Sequence, residues 1–337
     1  MRKRKTYSAI QWVRRTVHYL YHNKLYLQTP RPSCSSIGQS TRLISERLVG
    51  SNPPRRNEER TEMKTILIPI YEEKRSYHLN KPYVDYVSGA GYQPLMCGYD
   101  VNADLLSDIC DGLLLSGGGD IDPIYYGEEN VSCYWPDPDR DQTERNLYWA
   151  FTSKQKPVFG ICRGFQLIYL EENMMTSSED KIEGLEFKQH FSGHSQTDRV
   201  FRWRRTHRVY FSRGLYDLGS KDDRLKMFDF VNSMHHQGVK WMTHMKGNKR
   251  MLDAIKGPID PLAYAPAATK EPIILEAFRV SGKNVLAVQW HPEELLDYAL
   301  LWNVFGEPTG AKKTTMEDYA KTMTSLFGTP EEANETV

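Results

Sequence analysis

The chain has 337 residues, 39% hydrophobic and 26% charged, a balance that suits one large α/β domain with extensions. It holds no run of 18 apolar residues and no segment with the charged start, apolar middle and small-residue cleavage site of a secretory signal, which argues against a membrane span or an exported precursor. The net charge is +1, yet residues 1–62 carry 13 Lys/Arg against four Asp/Glu and the remainder 31 against 39, so the body is acidic and lacks the basic footprint of a nucleic-acid binder.

The first 62 residues look foreign to the rest, with no Asp or Glu before Glu46. An Arg-rich, acid-poor start suits a transit peptide, residues 10–27 suit a basic amphipathic helix, and the plain alternative is a disordered tail. A further reading comes from codons. SSIGQS (35–40) can be written AGC TCA ATT GGT CAG AGC, like a transfer-RNA D-arm, and GSNP (50–53) can be written GGT TCG AAT CCC, like a T-arm. The expectation is therefore that translation begins at Met63 and that the preceding codons belong to a transfer-RNA gene; the intact mass of the native protein tests this.

The body then alternates strand and helix signals. KTILIPI (64–70) is a short apolar run that reads as a buried strand, residues 80–90 suit a helix, and GAGYQPLMC (89–97) suits a turn into a second strand. CDGLLLSGGGD (110–120) is a strand entering a glycine loop. DRDQTERNLYWAFTSKQ (139–155) reads as a helix with acid at its start and Lys at its end, matching the helix dipole. KPVFGICRGFQLIYL (156–170) reads as strand, sharp turn and helix. The stretch from about 171 to 230 is irregular; its basic, aromatic part (RVFRWRRTHRVYF, 199–211) is taken as a strand pair with one solvated face rather than a nucleic-acid patch. PIILEAFRV (272–280) and NVLAVQWH (284–291) read as adjacent strands joined by SGK, and the tail from about 306 is polar. Alternating strands and helices predict a mainly parallel sheet with helices on both faces. The expected organisation is a basic extension (1–62), one catalytic domain (63–305) and a polar tail (306–337).

Three motifs point to one chemistry. In G-I-C-R-G (160–164) a strand turns abruptly into a helix, which would expose Cys162 at the positive helix end, where a thiolate is favoured. In W-H-P-E (290–293), His291 and Glu293 are two residues apart, so an extended segment would point both to one side: a base for the thiol and a carboxylate to orient the base. In S-G-G-G-D-I-D-P-I-Y-Y-G-E-E (116–129) a glycine loop at a strand end can aim backbone N–H groups at a developing oxyanion. It lacks the Gly-Lys-Ser/Thr of a phosphate loop. Five cysteines, an odd number with no C-x-x-C, suggest neither a disulfide framework nor a zinc knuckle, and a free thiol fits a reducing cytoplasm.

Together with D-R-D-x-x-E (139–144) and V-N-S-M-H-H-Q-G-V (231–239), these motifs resemble the class I glutamine amidotransferase-like hydrolases, and within them the γ-glutamyl-γ-aminobutyrate hydrolase group of the C26 peptidases. The resemblance covers about residues 64–298. It implies a flavodoxin-like α/β fold, Cys162 as nucleophile, His291 and Glu293 completing a triad, backbone N–H groups of Gly118 and Arg163 as oxyanion hole, and Gln166, His236 and Gln237 lining a glutamyl pocket. It implies hydrolysis of a γ-glutamyl amide through a thioester, with no metal and no organic cofactor. The His235–His236 pair alone is a weak metal signal. The expected partner is a small γ-glutamyl substrate, with no nucleic acid and no membrane, and a homodimer is compatible with this reading. One departure stands out: IYLEENMMTSSEDKIEGL (168–185) lacks the double glycine that family members carry after the elbow helix. Alternatives are a glutaminase module serving a separate synthetase subunit, or a non-catalytic binder on the same scaffold.

Overall fold

The computed structural model describes residues 63–175, 185–191, 194–195, 202–211, 215, 228–241, 257–265 and 273–308. The readings of residues 1–62, of most of the polar tail and of the departure at 176–184 lie outside the described residues.

Five short strands form the parallel half of an eleven-stranded sheet: β1 (Thr65–Pro69), β4 (Gln93–Cys97), β5 (Gly112–Leu115), β6 (Val158–Ile161) and β13 (Val285–Val288). Their order across the sheet is β4-β1-β5-β6-β13. Counted among themselves this is 2-1-3-4-5, the flavodoxin-like order expected from the sequence. A small hairpin, β2 (Tyr71–Glu73) with β3 (Ser76–His78), follows β1. Strands β5, β6 and β13 are buried along their whole length, as sequences apolar at every position require.

Alternate strand residues serve opposite faces. Ile66, Leu114, Phe159, Leu286 and Val288 share one core with Tyr83, Tyr86 and Val87 of α1 (Lys81–Gly89) and Leu300, Leu301 and Val304 of α6 (Tyr298–Phe305). Leu67, Leu113, Leu115, Val158, Val285 and Ala287 share the other with Leu147, Tyr148 and Phe151 of α3 (Pro138–Ser153) and Phe165, Leu167 and Ile168 of α4 (Arg163–Met175). Asp137 accepts a hydrogen bond from the Arg140 amide (3.0 Å), Pro138 opens the helix, and Asp139 and Asp141 lie in its first turn, so α3 begins as its sequence predicts. Lys154, just past its end, reaches Asp108 of α2 (Ala103–Ile109) at 2.6 Å.

Beyond β13 the sheet turns antiparallel, which the sequence did not announce. β12 (Ile273–Val280) pairs with β13 and, on its other edge, with β11 (Ile259–Ala265); β8 (His207–Phe211) and β9 (Phe228–Val231) continue outward. β10 (Gly238–Trp241) joins the start of β12 to β7 (Leu185–Lys188). The β12–β13 turn is the predicted one, with Gly282 left-handed at φ +74°. The basic aromatic stretch becomes a turn and then β8, where Val209 is buried while Arg208 and Phe230 pair across strands on the exposed side. The sequence predicts a strand pair within 199–211; of that stretch the described residues supply one strand, β8, whose solvated-face partner β9 comes from 228–231. Among the described residues, no helix is long and apolar enough to cross a membrane.

Candidate active site

The site lies at the C-terminal ends of three adjacent strands, β5, β6 and β13, where open α/β sheets bind ligands. Cys162 follows β6 with φ +52°, a left-handed backbone that costs a non-glycine residue about 1 kcal/mol or more. Its amide bonds Val288 O on β13 (2.8 Å), which pins the strained residue to the neighbouring strand. The elbow is possible because helix α4 nearly touches the sheet: a Cβ on Gly164 would stand 2.3 Å from the Leu115 carbonyl oxygen, and one on Gly160 would meet the Gly164 backbone at 2.9 Å. Cys97, Cys110 and Cys133 are also free and buried. Burial pushes the Cys97 and Cys133 thiols up to about 12 and raises Cys110, so these three stay protonated.

His291 Nδ1 lies 2.7 Å from Glu293 Oε1, and the ring also hydrogen-bonds Cys162. The pairing differs in origin from the extended segment that spacing suggested. His291 caps the short helix α5 (Pro292–Leu295), Pro292 opens it, and Glu293 sits in its first turn. A helix start rather than strand alternation brings the carboxylate back to the ring. Asn232 grips the His291 backbone from both sides, accepting its N–H (3.0 Å) and donating to its C=O (3.0 Å). Burial works against a charged imidazole, but Glu293 and Cys162 outweigh it and hold the His291 pKa up at about 10. Tyr83, from α1, accepts a hydrogen bond from the Gly117 amide (2.9 Å), and its oxygen lies 3.4 Å from His291 Nδ1. Burial first, then the charges of Glu293 and Cys162, keeps its phenol protonated. No motif marked Tyr83 in the sequence; a single tyrosine on a predicted helix carries no signal.

Arg163 follows Cys162 and Gly118 lies in the loop after β5, and no hydrogen bond among the described residues uses either backbone amide. The two segments that carry them are tied together by buried charge. Arg140 Nε pairs with Glu144 Oε1 (2.6 Å), and its Nη2 donates to the carbonyls of Ser116 (3.3 Å) and Gly117 (3.0 Å). A Cβ on Gly118 would sit 2.1 Å from Arg140 Nη1, so the glycine makes room for this brace. The Arg163 guanidinium pairs with both Asp141 and Glu144. Burial pushes the Asp141 carboxyl up to about 6 against the pull of Arg163, and Asp141 also accepts the Asp122 amide (3.0 Å). The D-R-D-x-x-E motif thus clamps the glycine loop and the residue after Cys162.

The expected pocket residues converge only in part. Gln166 Nε2 donates to the Gln237 carbonyl (3.1 Å) beside Gln289, all three residues being buried. Among the described residues, neither atom of the Gln237 carboxamide has a hydrogen-bond partner. His236 is turned toward the glycine-loop side, where it bonds Asp120 (2.9 Å) and packs on Tyr134 (4.8 Å). Within the atypical segment, Glu171 is fully buried against Arg145 (3.2 Å) and Glu172 pairs with Lys283 (2.5 Å).

Residues 61–293 match the family model described as Peptidase C26. A glutamine amidotransferase-like protein, YvdE, of Lactococcus lactis is 28% identical over 67% of this chain and 84% of its own length. A Mycobacterium tuberculosis protein, Rv2859c, provisionally named as a glutamine amidotransferase, is 29% identical over 56% of this chain and 53% of its own, so the chain spans about half of that relative. The glutaminase domain of Trypanosoma brucei CTPS with bound acivicin aligns over 77% of this chain and 94% of its own at 13% identity and a TM-score of 0.45.

Proposed function

The chain belongs to the peptidase C26 family, and from that premise we propose that it hydrolyses a γ-glutamyl amide through Cys162. Family and relatives place it with cysteine amidohydrolases of the glutaminase type. The observation that carries the finer reading is a cysteine held at a positive-φ elbow beside the imidazole of His291, whose Nδ1 meets a buried carboxylate at 2.7 Å. In this reading the Cys162 thiolate attacks the side-chain carbonyl carbon and the oxygen takes the negative charge. The Gly118 and Arg163 amides, otherwise unused, receive it. With Glu293 on Nδ1, the opposite ring nitrogen faces the sulfur and delivers its proton to the departing amine as the C–N bond breaks. Water, deprotonated by His291, then opens the thioester, releasing glutamate and restoring the thiolate. No step calls on a metal or organic cofactor. Gln166 and the unpartnered Gln237 carboxamide, which offers one donor and one acceptor, suit the glutamyl α-amino and α-carboxylate groups. A free-thiol enzyme suits a reducing cytoplasm.

A panel of γ-glutamyl amines and peptides assayed for glutamate release tests the proposal. Cys162→Ala is expected to lower turnover by about 10³-fold or more; equal turnover by wild type and variant would remove the nucleophile. The names of the relatives favour one second reading, a glutaminase that passes ammonia to a separate synthetase subunit. Glutamine hydrolysis that appears only with such a partner would select it.

A further inference from the structure

Away from Cys162, four segments of the antiparallel half bring three imidazoles to one buried carboxylate. Glu276, in the middle of β12, is fully buried. Its Oε1 lies 3.0 Å from His207 Nε2, at the start of β8, 3.8 Å from His194 Nε2, between β7 and β8, and 3.9 Å from His235 Nε2, ahead of β10. The donor atoms of His194, His207 and Glu276 all lie within 4.8 Å of one another. Four ligands at about 2.0–2.1 Å around a tetrahedral ion stand about 3.3 Å apart, so small side-chain adjustments would close these groups on one centre.

The hydrogen bonding points the same way. His235 Nδ1 lies 2.9 Å from the Gln237 carbonyl, which can only accept, so Nδ1 carries the proton and Nε2 presents a lone pair. That lone pair faces a carboxylate oxygen at 3.9 Å, with no hydrogen-bond partner for Nε2 among the described residues although His235 is buried. A lone pair turned toward an anion in a buried setting is repulsive, and a cation between the two would relieve it. An imidazole whose far nitrogen donates to a backbone carbonyl is also the usual way a metal-binding histidine is oriented. Glu276 Oε2 and His207 Nδ1 likewise have no hydrogen-bond partner among the described residues. The imidazoles of His194 and His207 keep about 14% and 15% of their surface exposed, which leaves an entry route for an ion.

We propose that His194, His207, His235 and Glu276 bind a divalent transition-metal ion, with three imidazole nitrogens and one carboxylate oxygen that suit zinc. The role is structural. The ion would fasten β8, the end of β7 and the 232–237 segment to β12, and so fix the Gln237 carbonyl that receives Gln166. Residues far apart in the chain make the site, so no ligand spacing marked it in the sequence. It is independent of the hydrolytic cycle, and either reading can fail alone.

The full chain, wild type and Cys162→Ala, would be purified without chelator and analysed for metals, then stripped with 1,10-phenanthroline and melted with and without zinc chloride. The alanine variant removes the thiol that could itself capture zinc. The expected result is about one zinc per chain in both proteins, a stripped form that melts about 5 °C or more lower, and recovery with zinc but not magnesium. His207→Ala should lower zinc affinity at least about tenfold. Should that variant not fold, cobalt added to stripped Cys162→Ala should give the visible ligand-field bands of a four-coordinate N/O site. The proposal is overturned if metal content stays below about a tenth of an equivalent and micromolar zinc leaves the melt of stripped Cys162→Ala unchanged, or if His207→Ala holds zinc as tightly as wild type.

Discussion

Glu144→Gln tests whether buried charge aligns the oxyanion donors. Glu144 is fully buried, and its two oxygens are divided between Arg140 and Arg163. The substitution keeps the shape and one acceptor but removes the negative charge, leaving Arg140 and Arg163 with Asp141 alone. Breaking a buried ion pair from one side costs about 3–5 kcal/mol, and the retained acceptor puts this case near about 3 kcal/mol. For a domain of this size that corresponds to a fall in Tm of about 6–12 °C. The kinetic consequence is separate. Arg140 carries the Ser116 and Gly117 carbonyls, and Arg163 supplies the amide after the nucleophile, so a relaxed brace misplaces both donors at once. Loss of one oxyanion donor costs about 10²–10³ in kcat, with little effect on KM. The assay is glutamate release at 25 °C, well below the lowered Tm, beside a thermal melt. A variant that melts lower but keeps kcat within about twofold would refute the positioning argument and leave the network a purely structural one.

The pH dependence of stability follows from His291. Its folded pKa, about 10, lies above the ordinary histidine value, so its contribution is fully present below about pH 6.5 and is lost as pH rises through about 10. Wild-type Tm is expected to fall from pH 7 to pH 10 more steeply than that of Glu293→Gln, which lacks the charge that holds the proton; parallel curves would contradict this. Gly164→Ala puts a Cβ 2.3 Å from a backbone oxygen and is expected to cost about 3 kcal/mol or more, whereas Gly282→Ala meets nothing within 4 Å and should cost only the left-handed strain, about 1–2 kcal/mol; denaturant unfolding would rank them. Asn232→Ala strips two hydrogen bonds from the buried His291 backbone and is expected to cost about 1–3 kcal/mol and to lower kcat about tenfold or more, read by melt and turnover together.

The sequence exposed what local chemistry dictates. Short apolar runs such as GLLL and VLAV, flanked by turn residues, read as buried strands, and G-I-C-R-G between a strand and a helix signal reads as an elbow. W-H-P-E announced its histidine and carboxylate, but their meeting depends on a helix that starts at Pro292, which two-residue spacing does not reveal. D-R-D-x-x-E was visible as a signature without a role, because its partners, Ser116, Gly117 and Arg163, lie about one helix away on either side. The antiparallel half was least legible. Its strands are short and join over long sequence separations, and Glu276 meets His207 across 69 residues. Tyr83 and the Glu276 cluster arise from such tertiary meetings, where neither period nor motif leaves a mark.

Two levels of construction account for the site. The coarse level is the sheet: Gly118, Cys162 and His291 follow β5, β6 and β13, which are neighbours, so strand spacing of about 4.8 Å alone brings the three proposed donor, nucleophile and base positions to one end of the sheet. Productive alignment needs more, since an error of about 1 Å costs about two orders of magnitude in rate. The fine level is supplied by groups that touch no reacting atom: Arg140 with Glu144 under the glycine loop, the Asn232 side chain on the His291 backbone and the Val288 carbonyl on the Cys162 amide. Damage at the two levels should therefore look different. Changes that strain the packing of helix on sheet, as at Gly164, lower stability and activity together, while changes in the braces leave a folded, substrate-binding protein whose kcat falls. A brace variant that lost binding and folding in the same proportion as turnover would mean that the alignment is inherited from the sheet and that the buried charges serve only to hold it together.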